Sequence, residues 1–488
     1  MYIGIDVGTQ GARVVLMDGE GRLIGSREEA FVLSVASREE QSPEMWWAAC
    51  RRCLSSLLAG VSFDRSGIKA LAVTSTSGTV IPLDSAHRPL HAALMYSDKR
   101  SVVEGEICTM EAQDWYAGER GGIRDRVGIG VGGGAGSRGG YTAFNSSSGL
   151  SKMVWYVRHY PAVAEKIRHW VHAADYITGQ LCGRWGITDY TNALKSGFDL
   201  HQEEWPAYIY EKLPLRKEWL PEVVASGSPV GVLLPSLAKE WGLPSSVQVV
   251  APMTDGCASQ LASGAVDMGS WNTTLGTTLV VKGVTQVELA DEEGRFYSHR
   301  HPDGGWMPGG ASNTGADWVR EFPVVPEVGS FIPTGLTAYP LRQEGERFPF
   351  VSPQARGFAP EGVAGPLLFA ANMEGVAYVE RFAYELAERL SGEKIKAVYT
   401  AGGGSNSHTW LFIRSSVLGL PLYKMRYVTG AAGAAILAAS RVYFGTVGEA
   451  ARNMARIEKE VAPEEGLRVR YEEGYGRWVE EMRGRGWV

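Results

Sequence analysis

The chain has 488 residues, more than one hydrophobic core usually organises, so at least two domains are expected. Its formal charge of −6 gives no electrostatic reason to expect a nucleic-acid partner, and a hydrophobic fraction of 44% is that of a globular enzyme. No run of 18 apolar residues occurs, so no membrane span is expected, and the opening residues read as a strand rather than a signal peptide. Five cysteines in so long a chain do not make a disulfide framework, and a cytoplasmic setting fits them best.

Tyr2 to Asp18 reads as a β-hairpin. Ile3, Ile5 and Val7 alternate with Tyr2, Gly4 and Asp6, Gly8 to Gly11 has turn chemistry, and Arg13 to Met17 returns as an apolar strand. Asp6 thus stands where a strand meets a turn of small residues, whose N–H groups an anion can approach. A third strand is expected at Arg22 to Ser26. A helix follows over Glu44 to Leu58, and it holds the C-x-x-C of Cys50 and Cys53. A zinc site would need two more ligands at suitable spacing, so helix packing is the better reading of this pair. Ile68 to Val73 is a buried strand leading into the small polar run Thr74 to Thr79, and Val80 to Leu83 resumes a strand.

Residues 117–140 break the composition with dense glycine. Gly128, Gly130 and Gly133 match a bare G-x-G-x-x-G, but no strand precedes it and no apolar helix follows, so it reads as a surface loop. Helical patterns cover Gly149 to His159 and Ala162 to Gln180. After a connector and short helix over Gly231 to Leu243, a second domain is placed from 246, giving domains 1–245 and 246–488. Val247 to Ala251 is a strand that runs towards Asp255, and Ala258 to Ser263 is helical.

The segment Ser270 to Gly283 repeats the opening hairpin. Gly276-Thr277 falls against Gly8-Thr9, and Thr274 takes the place of Asp6. Gly345 to Pro366 reads as a long loop, Asn372 to Leu390 as a helix capped by Gly392, and Lys396 to Thr400 as a strand entering Ala401 to Asn406. Helices at Trp410 to Val417 and Gly430 to Ser440 follow, and the last 40 residues are charged and helical. There is no G-x-x-x-x-G-K-[ST] and no protein-kinase motif set, so a nucleotide phosphate would have to be held by the paired Gly-Thr turns.

Five blocks taken in order, IGIDVGTQGARVV, LAVTSTSGTVIPLD, TDGCASQLASGAV, SWNTTLGTTLVV and YTAGGGSNSHTWLFIRSSVLGLPL, resemble the FGGY family of carbohydrate kinases. Within it, HAADYITGQLCGRWGITDYTNALKSGFD, FYSHRHPDGGWMPGGASNTGADW and YPLRQEGERFPF are similar to the D-ribulokinase branch. The resemblance implies an α/β, two-domain actin-like (ribonuclease-H-like) ATPase fold with a duplicated core and an interdomain cleft. It implies transfer of a phosphoryl group from ATP, with Mg2+, to a small-molecule sugar; a homodimer is compatible with it.

Residue by residue, the resemblance implies that Asp6 serves the metal and γ-phosphate, that Gly8, Thr9 and Arg13 form the first phosphate turn, and that Gly276, Thr277 and Thr278 form the second. Arg13 equally suits a strand-edge surface pair. Gly402, Gly403, Gly404 and Asn406 match the adenosine loop, for which a tight strand-to-helix turn is the plain alternative. Asp255 matches the general base, a role its chemistry suits, although an Asp before a helix can also be a cap. Thr76 and Ser77 fall where the family selects its sugar; glycerol kinases place Arg-Glu, and xylulokinases Met-His, at Ser77 and Gly78. Ser77 can hydrogen-bond a hydroxyl and Gly78 leaves room. Asp98 is expected to be structural or at the pocket edge.

Two departures from the family stand out, the glycine-rich stretch and Val428-Thr429-Gly430 in place of a Glu-containing segment. The substrate expected is D-ribulose, with D-xylulose or another ketose or polyol as the alternative. A nucleotide switch of the actin or chaperone kind is a remote rival.

Overall fold

The computed structural model describes residues 1–121, 143–289, 291, 293–322 and 333–488. They form two compact units: Met1–Ala262 with His299–Gly304 and Val428–Ala455, and Ser263–Ser298 with Gly305–Tyr427 and Arg456–Val488. The chain therefore does not divide at 245/246. Gln248–Val250 and Met253–Thr254 pair in parallel with Ala70–Ser75, so strand pairing carries the chain on into the first unit.

The sheet of the first unit runs from edge to edge Pro229–Val232, Gln248–Val250, Ala70–Ser75, Tyr2–Val7, Gly11–Met17, Leu23–Ala30. The opening hairpin forms as its period-2 pattern predicts, with Tyr2 opposite Met17 and Asp6 opposite Arg13. Ile3, Ile5 and Val7 enter a core shared with Trp46, Leu54 and Leu57 of the helix Pro43–Gly60. Cys50 and Cys53 lie in that core, where burial pushes both thiols up, Cys53 to about 11, so packing is their role. The other face of Tyr2–Val7 is covered by the alanine helix Gly430–Ala439, which arrives more than 400 residues later. Gly4 permits this, because a Cβ there would overlap the Ala431 carbonyl oxygen.

The sheet of the second unit runs Tyr297–Arg300, Trp306–Ala311, Leu279–Gly283, Ser270–Leu275, Ala397–Ala401, Leu422–Met425, Ile457–Val461. Its centre repeats the first sheet. An antiparallel hairpin is followed by a parallel neighbour, a further parallel strand and an antiparallel edge. Thr274 pairs with Val280 and Ala401 as Asp6 pairs with Arg13 and Thr74. The duplicated core expected from two short Gly-Thr turns thus extends over both sheets. Aromatic and aliphatic side chains fill the second core, with Trp271, Trp318, Phe348 and Trp478 all buried.

Several elements differ from expectation. Ala162 to Gln180 is not one helix: His169–His172 is a strand pairing with Val80–Leu83, and the helix begins only at Ala173. Pairing with a strand distant in sequence overrides the local helical pattern. The helix Val102–Gly121 reaches into the stretch read as a loop from 117, whose remainder, with Gly128, Gly130 and Gly133, lies outside the described residues. The helix predicted from Asn372 starts at Gly365, with Pro366 in its first turn. The charged C-terminal stretch contains the strand Ile457–Val461 before its helix Glu465–Gly484. Among the described residues no single helix is long and apolar enough to cross a membrane.

Candidate active site

In the first unit the strand Ala70–Ser75 is flanked by the two carboxylates singled out in the sequence. Asp6 lies level with Thr74 on one side. On the other, Thr254 lies level with Ser75 and Asp255 follows it as the first residue of the helix Asp255–Ala262. Both stand at the carboxyl ends of parallel strands, where open α/β sheets bind ligands. Two strand spacings, about 10 Å, separate their backbones. Burial lifts the Asp6 carboxyl to about 7, and the charge of Asp255 adds to that rise while Arg13 opposes it. Asp6 Oδ1 is buried and accepts no hydrogen bond. Asp255 Oδ1 receives the Gly256 N–H at 2.6 Å, so part of the capping role foreseen for it is real.

The alanine helix packs against the elements that carry both carboxylates. Its Gly430 lies against Asp6, where a Cβ would stand 2.8 Å from Oδ2, and at Gly433 a Cβ would overlap the Ala258 carbonyl oxygen. One helix therefore backs both the strand of Asp6 and the helix of Asp255. Thr429 caps it by accepting the Ala432 N–H at 3.1 Å. Gly430 was missed as a site residue; the only signal was its place at the head of an Ala-rich run within an apparent departure from the family.

The first turn closes with the Gly8 N–H donating to the Gly11 carbonyl at 3.0 Å. Thr9 adjoins it, its carbonyl receiving Gln41 Nε2 at 3.0 Å. Arg13 is exposed and donates to Glu28 through Nε at 3.1 Å and Nη2 at 2.6 Å, the strand-edge pair that was its alternative reading.

Thr76 and Ser77 are half-buried just beyond Ala70–Ser75, and Thr76 Oγ1 lies 3.2 Å from Thr79 Oγ1. Gly78 corrects the expectation of free room. Its φ is +77°, and a Cβ there would overlap the Ser147 carbonyl oxygen, so main chain already occupies that space. The turn that carries Ser147 is tight: Asn145 Oδ1 accepts the Ser147 N–H at 2.8 Å, and the buried Lys152 donates to the Ser146 carbonyl. Asp98 is structural. It is buried and gripped by Arg100 at 2.8–3.0 Å, and that guanidinium also pairs with Glu40 and stacks on Trp155.

The second unit gathers the other predicted residues. Gly276 N–H donates to the Thr278 carbonyl at 3.0 Å, closing the turn of Gly276, Thr277 and Thr278. The loop of Gly402, Gly403, Gly404 and Asn406 leaves Ala397–Ala401 and ends at Ser407, which caps the helix His408–Leu418. It folds onto the same hairpin: Gly402, at φ +89°, and Gly404 both sit where a Cβ would collide with Leu275. Thr277 and Thr278 line a pocket of about 470 Å³ with Asn313, Gly315, Arg320 and Arg342. Gly315 lies against the Thr277 carbonyl, and the Ala316 N–H donates to the Gly276 carbonyl at 2.8 Å. Asn313 and Gly315 fall in a quoted block, but its spacing alone did not assign them to this turn.

This duplicated arrangement is the two-domain actin-like ATPase fold. Residues 1–124 and 137–262 match the N-terminal domain, and 271–442 the C-terminal domain, of the FGGY family of carbohydrate kinases. The chain belongs to that family and is a carbohydrate kinase. It is 27% identical to the xylulose kinase of Escherichia coli over 91% of this chain and 89% of that one. The xylulose kinase of Bacillus subtilis is 24% identical over 90% and 87% of the two chains. Among solved structures, the xylulose kinase of Rhodospirillum rubrum superposes with a TM-score of 0.80 at 21% identity, covering 99% of this chain and 98% of that one. Kinases of this family use ATP, typically with Mg2+.

Proposed function

We propose that this kinase transfers the γ-phosphoryl group of ATP to a hydroxyl of a ketopentose, with Asp255 as general base. The observation that carries the reading is the placing of Asp6 and Asp255 on either side of Ala70–Ser75, near enough for one charge to perturb the other. The sugar oxygen forms its bond to phosphorus as the bond to the ADP oxygen breaks, and its proton passes to the Asp255 carboxylate. Thr76 and Ser77 orient the sugar. With the Gly8 and Gly276 N–H groups closing their own turns, the backbone N–H groups of Thr9 and of Thr277 and Thr278 are those offered to phosphate oxygens, and Gly402, Gly403, Gly404 and Asn406 border the adenosine. With its side chain turned to Glu28, Arg13 contributes to the field at Asp6 rather than to phosphate contact.

The residues suit a magnesium ion. The buried, unpartnered Asp6 Oδ1 beside a second acidic group offers the one or two carboxylates that Mg2+ takes alongside phosphate oxygens and water. Among the described residues no cluster of three metal-ligating side chains exists, which agrees with an ion held largely by substrate. Bound there by Asp6, the ion would neutralise charge on the transferring phosphoryl group.

The names of the curated relatives favour D-xylulose as the sugar, reversing the order read from the sequence. D-ribulose is the second reading. It is favoured by Ser77-Gly78 in place of Met-His, and by a Ser147 carbonyl that excludes a side chain at 78. ADP release measured with D-xylulose, D-ribulose, L-ribulose and glycerol tests both. The expected result is sugar-dependent turnover with the highest kcat/KM for D-xylulose. A clear preference for D-ribulose selects the second reading, and equal turnover without sugar overturns both.

A further inference from the structure

The strand and helix that meet at Asp255 are held by a buried side-chain relay that plays no part in the mechanism above. Asp189 is fully buried and accepts four close donors: the Thr191 N–H at 2.8 Å, Thr191 Oγ1 at 2.7 Å, Asn192 Nδ2 at 2.6 Å and Ser226 Oγ at 2.6 Å. With its hydroxyl proton committed to Asp189, Thr191 Oγ1 turns a lone pair outwards and accepts the Thr254 N–H at 2.8 Å. Thr254 is the residue immediately before Asp255, and its other flank lies in parallel register with Ser75, just ahead of Thr76 and Ser77.

We propose that Thr191, polarised by Asp189, is a positioning residue that fixes the peptide leading into Asp255 and so aims its carboxylate. The inference rests on Asp255 being the base. A lone pair on an uncommitted threonine hydroxyl could rotate away. The buried Asp189 carboxyl, itself held by the Thr191 N–H, Asn192 Nδ2 and Ser226 Oγ, removes that freedom. Burying a carboxylate is expensive even when it is paired, so four donors converging on one such group mark a place where a single geometry is enforced. Misplacing a reacting group by about 1 Å can cost on the order of 100-fold in rate.

The test uses the full chain with ATP, and with D-xylulose and D-ribulose as acceptors. Thr191→Val keeps the shape and removes both hydrogen bonds; Thr191→Ser restores them. The expected result is kcat down roughly 10- to 100-fold in Thr191→Val, with KM for ATP and sugar within about twofold, and recovery to within about threefold in Thr191→Ser. A folded Thr191→Val with kcat within about twofold of the parent overturns the proposal, as does a Thr191→Ser no better than Thr191→Val. If circular dichroism shows Thr191→Val unfolded, Ser226→Ala, which removes one donor from Asp189, must still lower kcat selectively, and an unchanged kcat overturns the proposal. Asp255→Asn separates the two claims. If it stays active, both the base and its positioning fall; if it is inactive while Thr191→Val turns over normally, only the relay falls.

Discussion

Asp255→Asn keeps the shape of the side chain and its local bond to the Gly256 N–H but removes the proposed proton acceptor. A folded protein with kcat down about 10²- to 10⁴-fold is expected from steady-state ADP release. Glu374 gives a separate, pH-dependent prediction. It is buried on the helix Gly365–Ser391, accepting the Thr334 N–H at 2.8 Å and the Thr334 hydroxyl at 2.5 Å, and burial lifts its carboxyl to about 7 from 4.5. The folded state therefore holds this proton more tightly than the unfolded chain. The stability it contributes is complete below about pH 4.5 and is lost as pH rises through about 7. Glu374→Gln stays neutral throughout, so thermal melts should show the parent losing on the order of 3 kcal/mol at most relative to the variant between those pH values. Asp6 and Asp255 were both legible in the sequence, as carboxylates at strand ends. The lifted carboxyls of Asp6 and Glu374 were not, because burial is set by elements remote in the chain.

Two elements owe their positions to packing that leaves no slack. At Gly433 a Cβ would overlap the Ala258 carbonyl oxygen, so Gly433→Ala must push the alanine helix away from the helix Asp255–Ala262. A loss of about 1–3 kcal/mol is expected in urea unfolding, together with lower kcat, since this helix backs both carboxylates. In the second unit Glu380 and Arg414 form an ion pair with both side chains fully buried, at 2.7 and 2.8 Å, and Glu380 also accepts from Thr273 in the strand before the Gly276–Thr278 turn. Glu380→Gln leaves the guanidinium charge without its counter-ion, so about 3–5 kcal/mol should be lost in the same measurement. Hairpins, helix caps and glycine turns were readable because their chemistry is local. The strand His169–His172 was not, since only its pairing with Val80–Leu83 makes it one.

On the scale of the molecule, the first unit is not a contiguous piece of chain. Its sheet is covered by Gly430–Ala439, supplied from the return segment Val428–Ala455. A fragment of residues 1–262 would lose the alanine helix that covers one face of Tyr2–Val7 and one side of Asp255–Ala262, so it should lack the cooperative thermal transition expected of the full chain. A sharp melt of that fragment would refute the dependence. The sequence by itself determined the family, the duplicated Gly-Thr hairpin, the two-domain actin-like α/β fold class and the position of the two carboxylates proposed to carry the chemistry. Each of these rests on a pattern repeated within a few residues or on residue types in a fixed order. Only the tertiary structure decided where the units divide, that Gly78 has no free space beside it, that Arg13 turns to Glu28, and that Thr191 reaches the peptide before Asp255. Those outcomes depend on which distant segments fill the same volume, and close packing settles that only when the whole chain is in place.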